Sequence, residues 1–240
     1  MKKLEGKTAL ITGVSRKKGI GFLTYHKPYD KELWGEGGAD EVEEIVEELR
    51  KTDVKVEALE LDLSLPEGPK KLMEEVIKKF GKVDILINNA CHSGKDTVET
   101  LDATSLDKHY AVNTRATLLL TGEFFKQFTG DEGWVISMTS GQGVGPMAAE
   151  IAYASTKGAI DAFTLSASPD LAKKNIKIYA LDPGPVDTGW MTEELKTDVA
   201  KASTKGRVTE PNDIAQEILS ILSGEEGVQS GQVIRRRYGI

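Results

Sequence analysis

Apolar residues come along this chain in two alternating kinds of run. Short stretches read as buried strands: Thr8-Ala9-Leu10-Ile11-Thr12, Val56 to Leu61, Val83 to Ile87, Trp134 to Met138, Ile176 to Leu181 and Gln232-Val233-Ile234. Between them lie helical stripes. Val42, Ile45, Val46 and Leu49 fall at i, i+3, i+4 and i+7, and Leu72, Met73, Val76, Ile77 and Phe80 repeat the pattern with Gly81 placed as a C-cap. Further helices are predicted over about 106–128, through Tyr153 and Lys157, and over about 212–222. Strands separated by helices of this length pair in parallel and carry helices on both faces. The expectation is one doubly wound α/β domain over 1–240, with its ligand crevice at the carboxyl ends of the strands.

Composition narrows the function classes. A length of 240 residues suits one large α/β domain. Net charge −7 with a pI near 5.2 argues against a nucleic-acid or anionic-membrane surface. The single Cys91 excludes an intramolecular disulfide and fits a reducing cytosol. The polar start Met1 to Lys7 is unlike a signal peptide, and no run approaches the roughly 20 apolar residues needed to span a bilayer. A cytoplasmic enzyme is the expectation.

Candidate chemistry gathers in the run from Ser140 to Lys157. Tyr153 and Lys157 are one helical turn apart on a shared face. An ammonium beside a phenol favours the phenolate and lowers a pKa that starts near 10, as a tyrosine trading protons with a hydroxyl/carbonyl pair requires. Ser140 comes just after the strand at Trp134 to Met138, where a strand end can place its hydroxyl beside the same oxygen. Earlier, Gly13, Gly19 and Gly21 follow the first strand, and glycines there let the backbone approach a pyrophosphate.

A Tyr-x-x-x-Lys pair alone more often marks a solvated helix edge. Here it comes with Ser140, Asn88-Asn89-Ala90, Asn113 and Pro183-Gly184, and in that combination the chain resembles the short-chain dehydrogenase/reductase family, classical type, over almost its whole length. The resemblance implies a Rossmann-like fold and an NAD(P)-dependent oxidoreductase that interconverts a carbonyl and a secondary alcohol. It implies Asn113, Ser140, Tyr153 and Lys157 as the catalytic set, Asn113 distorting its helix so that the main chain holds a relay water. For the coenzyme it implies Gly13, Ser15, Arg16, Gly19, Ile20 and Gly21 over the phosphates, Asp62 at the adenine edge, and Asn89 and Ala90 beside it. Lys157 would bond the nicotinamide ribose, Pro183 and Gly184 would line the segment after strand six, Val186 would offer backbone groups, and Thr188 would bind the carboxamide. Cys91 stands where the family has Gly and reads as a packing residue; Asp62 would also serve simply to cap the turn at Ser64. Residues from about 188 to 204 would be a flexible lid, with Trp190 and Met191 lining an apolar pocket. The segments Met138 to Gln142 and Tyr153 to Lys157 are most similar to 3-oxoacyl-carrier-protein reductases, which implies a small-molecule or acyl-carrier carbonyl substrate. A homodimer or homotetramer through the helices at 106–128 and 152–171 is also implied.

One departure from the family is large. Its glycine loop opens a helix of about a dozen residues that returns the chain to start strand two, whereas here Gly21 runs straight into Phe22-Leu23-Thr24-Tyr25, which looks like the end of strand two. Either the first crossover is lost and residues 22–40 are rearranged, or a segment is missing from this sequence. The loss would remove a helix dipole from the pyrophosphate and weaken coenzyme binding. Tyr25-His26-Lys27 offers no acid until Asp30, and Arg16 and Lys17 supply cations for a 2′-phosphate, so NADP(H) is favoured and NAD(H) stays open. The alternative is a non-catalytic nucleotide-binding relative with a crippled cofactor site; the complete set Asn113, Ser140, Tyr153 and Lys157 argues against it.

Overall fold

The computed structural model describes residues 4–14, 22–26, 38–52, 54–189, 191–203, 206–224 and 227–235. Seven strands form among them: β1 Ala9–Ile11, β2 Phe22–Tyr25, β3 Glu57–Glu60, β4 Ile85–Asn88, β5 Gly133–Met138, β6 Ile176–Leu181 and β7 Val233–Ile234. All pair in parallel, in the order β3-β2-β1-β4-β5-β6-β7. The chain winds one way from β1 to β3 and the other way from β4 to β7, so the switch point lies between β1 and β4. The described helices are α1 Gly38–Arg50, α2 Gly68–Phe80, α3 Ala103–His109, α4 Thr117–Gln127, α5 Ile151–Ala172, α6 Glu193–Ala202 and α7 Pro211–Ser223.

Strand alternation explains the two covered faces. Leu86, Val135, Ile176 and Ile178 turn to one side, where they bury against Leu72 and Val76 of α2, Leu120 and Phe124 of α4 and Leu171 of α5. Ile85, Ile87, Trp134, Ile136, Tyr179 and Leu181 turn to the other and meet Ile214, Ile221 and Leu222 of α7. Ile45 and Val46 of α1 form a smaller cluster with Leu23 and Val56. Each such aliphatic side chain contributes about 1.5–3 kcal/mol by leaving water. Helix ends follow their chemistry. Gly81 adopts φ 80° after α2 and its N–H returns to Ile77 O at 2.7 Å, a left-handed cap that disfavours any side chain.

Three segments take a more definite form in the structure. The helix predicted over 106–128 begins at Ala103, capped by Asp102 Oδ1 accepting from Ser105 N at 2.8 Å, and it is interrupted between α3 and α4 by a π-helical segment, Tyr110–Ala116. The segment read as a flexible lid contains the helix α6, whose first turn is capped by Thr192. At the first crossover, β2 does pair with β1, with Leu10 opposite Phe22 and Ile11 opposite Leu23. Residues 12–21 alone connect them, shorter than a parallel crossover ordinarily needs.

Candidate active site

Beside the switch point, Thr12 fastens the end of β1 to the turn after β4. Its buried hydroxyl accepts from Asn89 N and Ala90 N, both at 3.0 Å, while Asn89 Nδ2 donates to Thr12 O and Gly13 O, both also at 3.0 Å. Gly13 sits at φ 70°, and a Cβ built there would stand 2.4 Å from Ala90 Cα. Only glycine fits. The preceding Asn88 is spent inside the fold, donating to Ser137 Oγ at 3.1 Å and Thr121 Oγ1 at 3.3 Å.

Asn113 lies within the π-helical segment, 1% exposed. Its Oδ1 accepts from His92 N at 2.7 Å and its Nδ2 donates to His92 O at 2.9 Å, so one side chain satisfies both backbone groups of a loop residue. The same Nδ2 reaches Thr156 Oγ1 at 3.0 Å, and Thr156 Oγ1 donates to Tyr153 O at 2.7 Å. The helix distortion anticipated at Asn113 is present, and its side chain ties the β4 loop to α5.

Ser140, Tyr153 and Lys157 meet where β5 ends. The Ser140 side chain lies close enough to the Tyr153 phenol to act on its titration. Lys157, 4% exposed, donates to Met138 O at 2.8 Å, and its Nζ lies 5.5 Å from the centre of the Tyr153 ring. The net shift of the tyrosine pKa is upward. Burial pushes the Tyr153 phenol well above its usual value, and Cys91, Glu150 and Asp182 add to the rise; the Ser140 side chain works against it. Lys157 Nζ is directed to the Met138 carbonyl. Cys91 is half-buried, with Sγ 3.4 Å from His92 O.

Residues that the sequence reading did not single out hold this group in place. Asp96, 4% exposed, accepts from Ile151 N at 2.7 Å and Ala152 N at 3.1 Å, and its own N–H donates to Ala149 O at 3.0 Å. It caps α5 from a distant loop, at the end whose dipole favours a carboxylate. Ala149 is held at φ 64°, a left-handed backbone that a non-glycine residue takes only under constraint. Replacing Asp96 with Ala is expected to cost about 1–2 kcal/mol in denaturant unfolding, the value of a lost cap; an unchanged midpoint would contradict the capping role.

After β6 the chain turns sharply. Gly184, at φ 62°, donates from its N–H to Asp182 Oδ1 at 2.9 Å; Val186 bridges Thr209, and Thr188 N donates to Val186 O at 3.1 Å. Asp187 accepts from Gly189 N at 2.9 Å and pairs with Lys196 of α6 at 3.1 Å, which together hold its carboxyl below the usual range. Pro183 begins this turn, and Met191 is buried. Asp62 takes the turn-capping position anticipated for it, accepting from Ser64 N at 2.7 Å, with His26 Nε2 at 3.8 Å. Ser15, Arg16, Gly19, Ile20, Gly21 and Trp190 lie outside the described residues.

These features fit a nicotinamide coenzyme. Gly13 packs its backbone directly on Ala90 where β1 ends, and Asn89 Nδ2 donates to Gly13 O, at the carboxyl ends of the strands where such coenzymes bind. Met138 O takes one of the three N–H donors of a nearly buried ammonium at the adjoining strand end. Donors of that kind suit sugar hydroxyls.

Comparison with known proteins agrees. Residues 7–199 match the family described as short chain dehydrogenase. An uncharacterized oxidoreductase YjdA of Bacillus subtilis is 40% identical over 97% of this chain and 96% of its own length. An NADPH-dependent aldehyde reductase of Arabidopsis thaliana chloroplasts is 32% identical over 99% and 87%. Among solved structures, the angucycline C-6 ketoreductase LanV with bound NADP superposes with a TM-score of 0.82 at 25% identity, covering 97% of this chain and 94% of that one. The family match, the 40% relative and the parallel sheet with its strand-end site together make the chain a member of the short-chain dehydrogenase/reductase family, oxidoreductases of the hydroxyl/carbonyl couple.

Proposed function

We propose that the chain is a carbonyl reductase that favours NADP(H), with Tyr153 as proton donor and 3-oxoacyl thioesters as its substrate class. The observation that carries this reading is the convergence of Ser140, Tyr153 and Lys157 at the end of β5, with Asn113 behind them. When bound, the nicotinamide coenzyme supplies the hydride. The Tyr153 phenol protonates the substrate oxygen, and the Ser140 hydroxyl polarises that oxygen beforehand. Lys157 keeps further N–H donors for the nicotinamide ribose. Asn113 fixes His92 and, through Thr156, the first turns of α5, so the relay segment and the tyrosine move as one. Gly13, Asp62, Asn89, Ala90, Pro183, Gly184, Val186 and Thr188 line the coenzyme, with Ser15, Arg16, Gly19, Ile20 and Gly21 over its phosphates. Residues 188–204, centred on α6, close over the substrate.

Arg16 and Lys17 support NADP(H), as do the printed names of the aldehyde reductase and of LanV with bound NADP; NAD(H) is the second coenzyme to test. Exposed Tyr110, Leu119 and Leu165 support assembly as a homodimer or homotetramer. No helix among the described residues is long and apolar enough to cross a membrane, and we place the enzyme in the cytoplasm on its single cysteine and charge. A second substrate reading, a simple aldehyde, is favoured by the aldehyde reductase relative. Loss of NADPH absorbance with acetoacetyl-coenzyme A and with a saturated aldehyde separates the two: faster turnover of the thioester supports the first reading, and turnover of the aldehyde alone overturns it.

A pH dependence follows from the buried phenol. With its pKa raised, Tyr153 stays protonated at neutral pH, so carbonyl reduction, which needs the phenol, is expected to stay level from about pH 6 to 8. Alcohol oxidation needs the phenolate and is expected to rise roughly tenfold per pH unit below that pKa. Oxidation that falls as pH rises would contradict Tyr153 as the titrating group.

A further inference from the structure

Behind Ser140 and Tyr153 lies a polar group that the proposed proton transfer does not use. Asp161 stands on α5 four residues after Lys157, on the same helical stripe as Tyr153 and Lys157. Its Oδ1 accepts from Thr139 Oγ1 at 2.6 Å, and its Oδ2 accepts from Gln142 Nε2 at 2.8 Å and from Arg235 Nη2. Thr139 and Gln142 flank Ser140 in sequence, and Gln142 Nε2 also donates to Thr139 Oγ1 at 3.1 Å. Arg235, the first residue after β7, packs its guanidinium against the turn Gly141–Gly143: a Cβ on Gly143 would stand 2.7 Å from Nη2. One carboxylate thus gathers the exit of β5, the middle of α5 and the exit of β7.

We propose that the Asp161–Arg235 pair is a positioning device that fixes the Ser140 hydroxyl against Tyr153. Ser140 has extended backbone and stands between Thr139 and the short turn at Gly141–Gly143, so it follows wherever its two neighbours are held. Both neighbours are held from one point on the helix that carries the tyrosine. Asp161 therefore sets the serine–tyrosine spacing in the way that a bracket sets two arms, and Arg235 pairs with its carboxylate. Ser140 is the group that works against the upward shift of the buried Tyr153 phenol, so its placement bears on the proposed proton donor.

This inference rests on the reading of Ser140, Tyr153 and Lys157 as the catalytic group, and the test separates the two. Asp161→Asn, Arg235→Gln, Arg235→Lys, Gln142→Ala and Tyr153→Phe are compared with the wild type in NADPH binding by fluorescence, thermal melting, and kcat and KM for the carbonyl. The carbonyl probe is whichever of acetoacetyl-coenzyme A, ethyl acetoacetate and a saturated aldehyde the wild type reduces fastest. Asp161→Asn and Arg235→Gln are expected to lower kcat about 10- to 100-fold, the cost of a small misplacement, while NADPH affinity stays within about twofold. KM for the carbonyl is expected to stay within about twofold, and Arg235→Lys, which keeps the charge, to recover part of kcat. If Asp161→Asn melts below the assay temperature, Gln142→Ala carries the test, with the same loss of kcat at unchanged NADPH affinity in a folded chain. Folded variants with wild-type kcat, beside an inactive Tyr153→Phe, overturn the positioning role alone. An inert wild type, or an active Tyr153→Phe, overturns the catalytic reading and the positioning role with it.

Discussion

Replacing Tyr153 with Phe is expected to lower kcat for carbonyl reduction by about 10²- to 10⁴-fold, the range carried by a positioned general acid. The substitution removes one oxygen and keeps the ring, so the packing of α5 against the exit of β5 is preserved, and so is the bond from Lys157 to Met138 O. Coenzyme affinity should therefore stay close to that of the wild type. The split matters because Tyr153 lies beside both the coenzyme-lining residues and the proposed proton path. A loss confined to kcat marks an interaction made in the transition state, whereas a loss confined to KM would mark simple binding. Steady-state rates with NADPH and the preferred carbonyl decide it, and a Tyr153→Phe enzyme with wild-type kcat would contradict the role.

Gly13→Ala is expected to be the most damaging single-methyl change in the described residues. Two effects add. The backbone at φ 70° is left-handed, which costs a side-chain-bearing residue about 1–2 kcal/mol, and the new Cβ would fall 2.4 Å from Ala90 Cα, so the ends of β1 and β4 must separate. That separation pulls on Thr12, whose hydroxyl fastens Asn89 and Ala90. The total is expected to be about 3 kcal/mol or more, a large share of ordinary domain stability. Thermal melting should then fall by roughly 6–12 °C, and NADPH affinity should fall with it if the same backbone lines the coenzyme as proposed. A variant that melts and binds like the wild type would contradict the close approach.

Much of this architecture was legible from spacing alone. The strand at Ile176–Leu181 and the cap at Gly81 depend on local signals, the first on continuous apolar residues and the second on a glycine after a helical stripe. The Tyr153–Lys157 face was equally local, since α5 places residues four apart together. Helix α6 carried a signal too: Thr192 followed by Glu193 and Glu194 is an N-terminal pattern, which the reading of the segment as a lid overlooked. Asp96, Asp161 and Thr12 carried none. Their partners lie on other elements, and a lone Asp or Thr reads the same in a solvated turn as in a buried bracket. The upward shift of the Tyr153 phenol was not legible for a related reason. Sequence spacing brings the lysine near, but it conveys neither the depth of burial nor the carbonyl at Met138 that takes the ammonium.

The short first crossover makes coenzyme binding the most exposed part of the proposal, because Phe22 already pairs with Leu10 and residues 12–21 must supply the whole phosphate loop. Titrating the purified chain with NADPH and with NADH, followed by nucleotide fluorescence, tests it most directly. The expected result is saturable binding of NADPH with a Kd on the order of micromolar, tighter than that of NADH. No change in fluorescence with either nucleotide would contradict a working reductase and leave Ser140, Tyr153 and Lys157 as a site without its coenzyme.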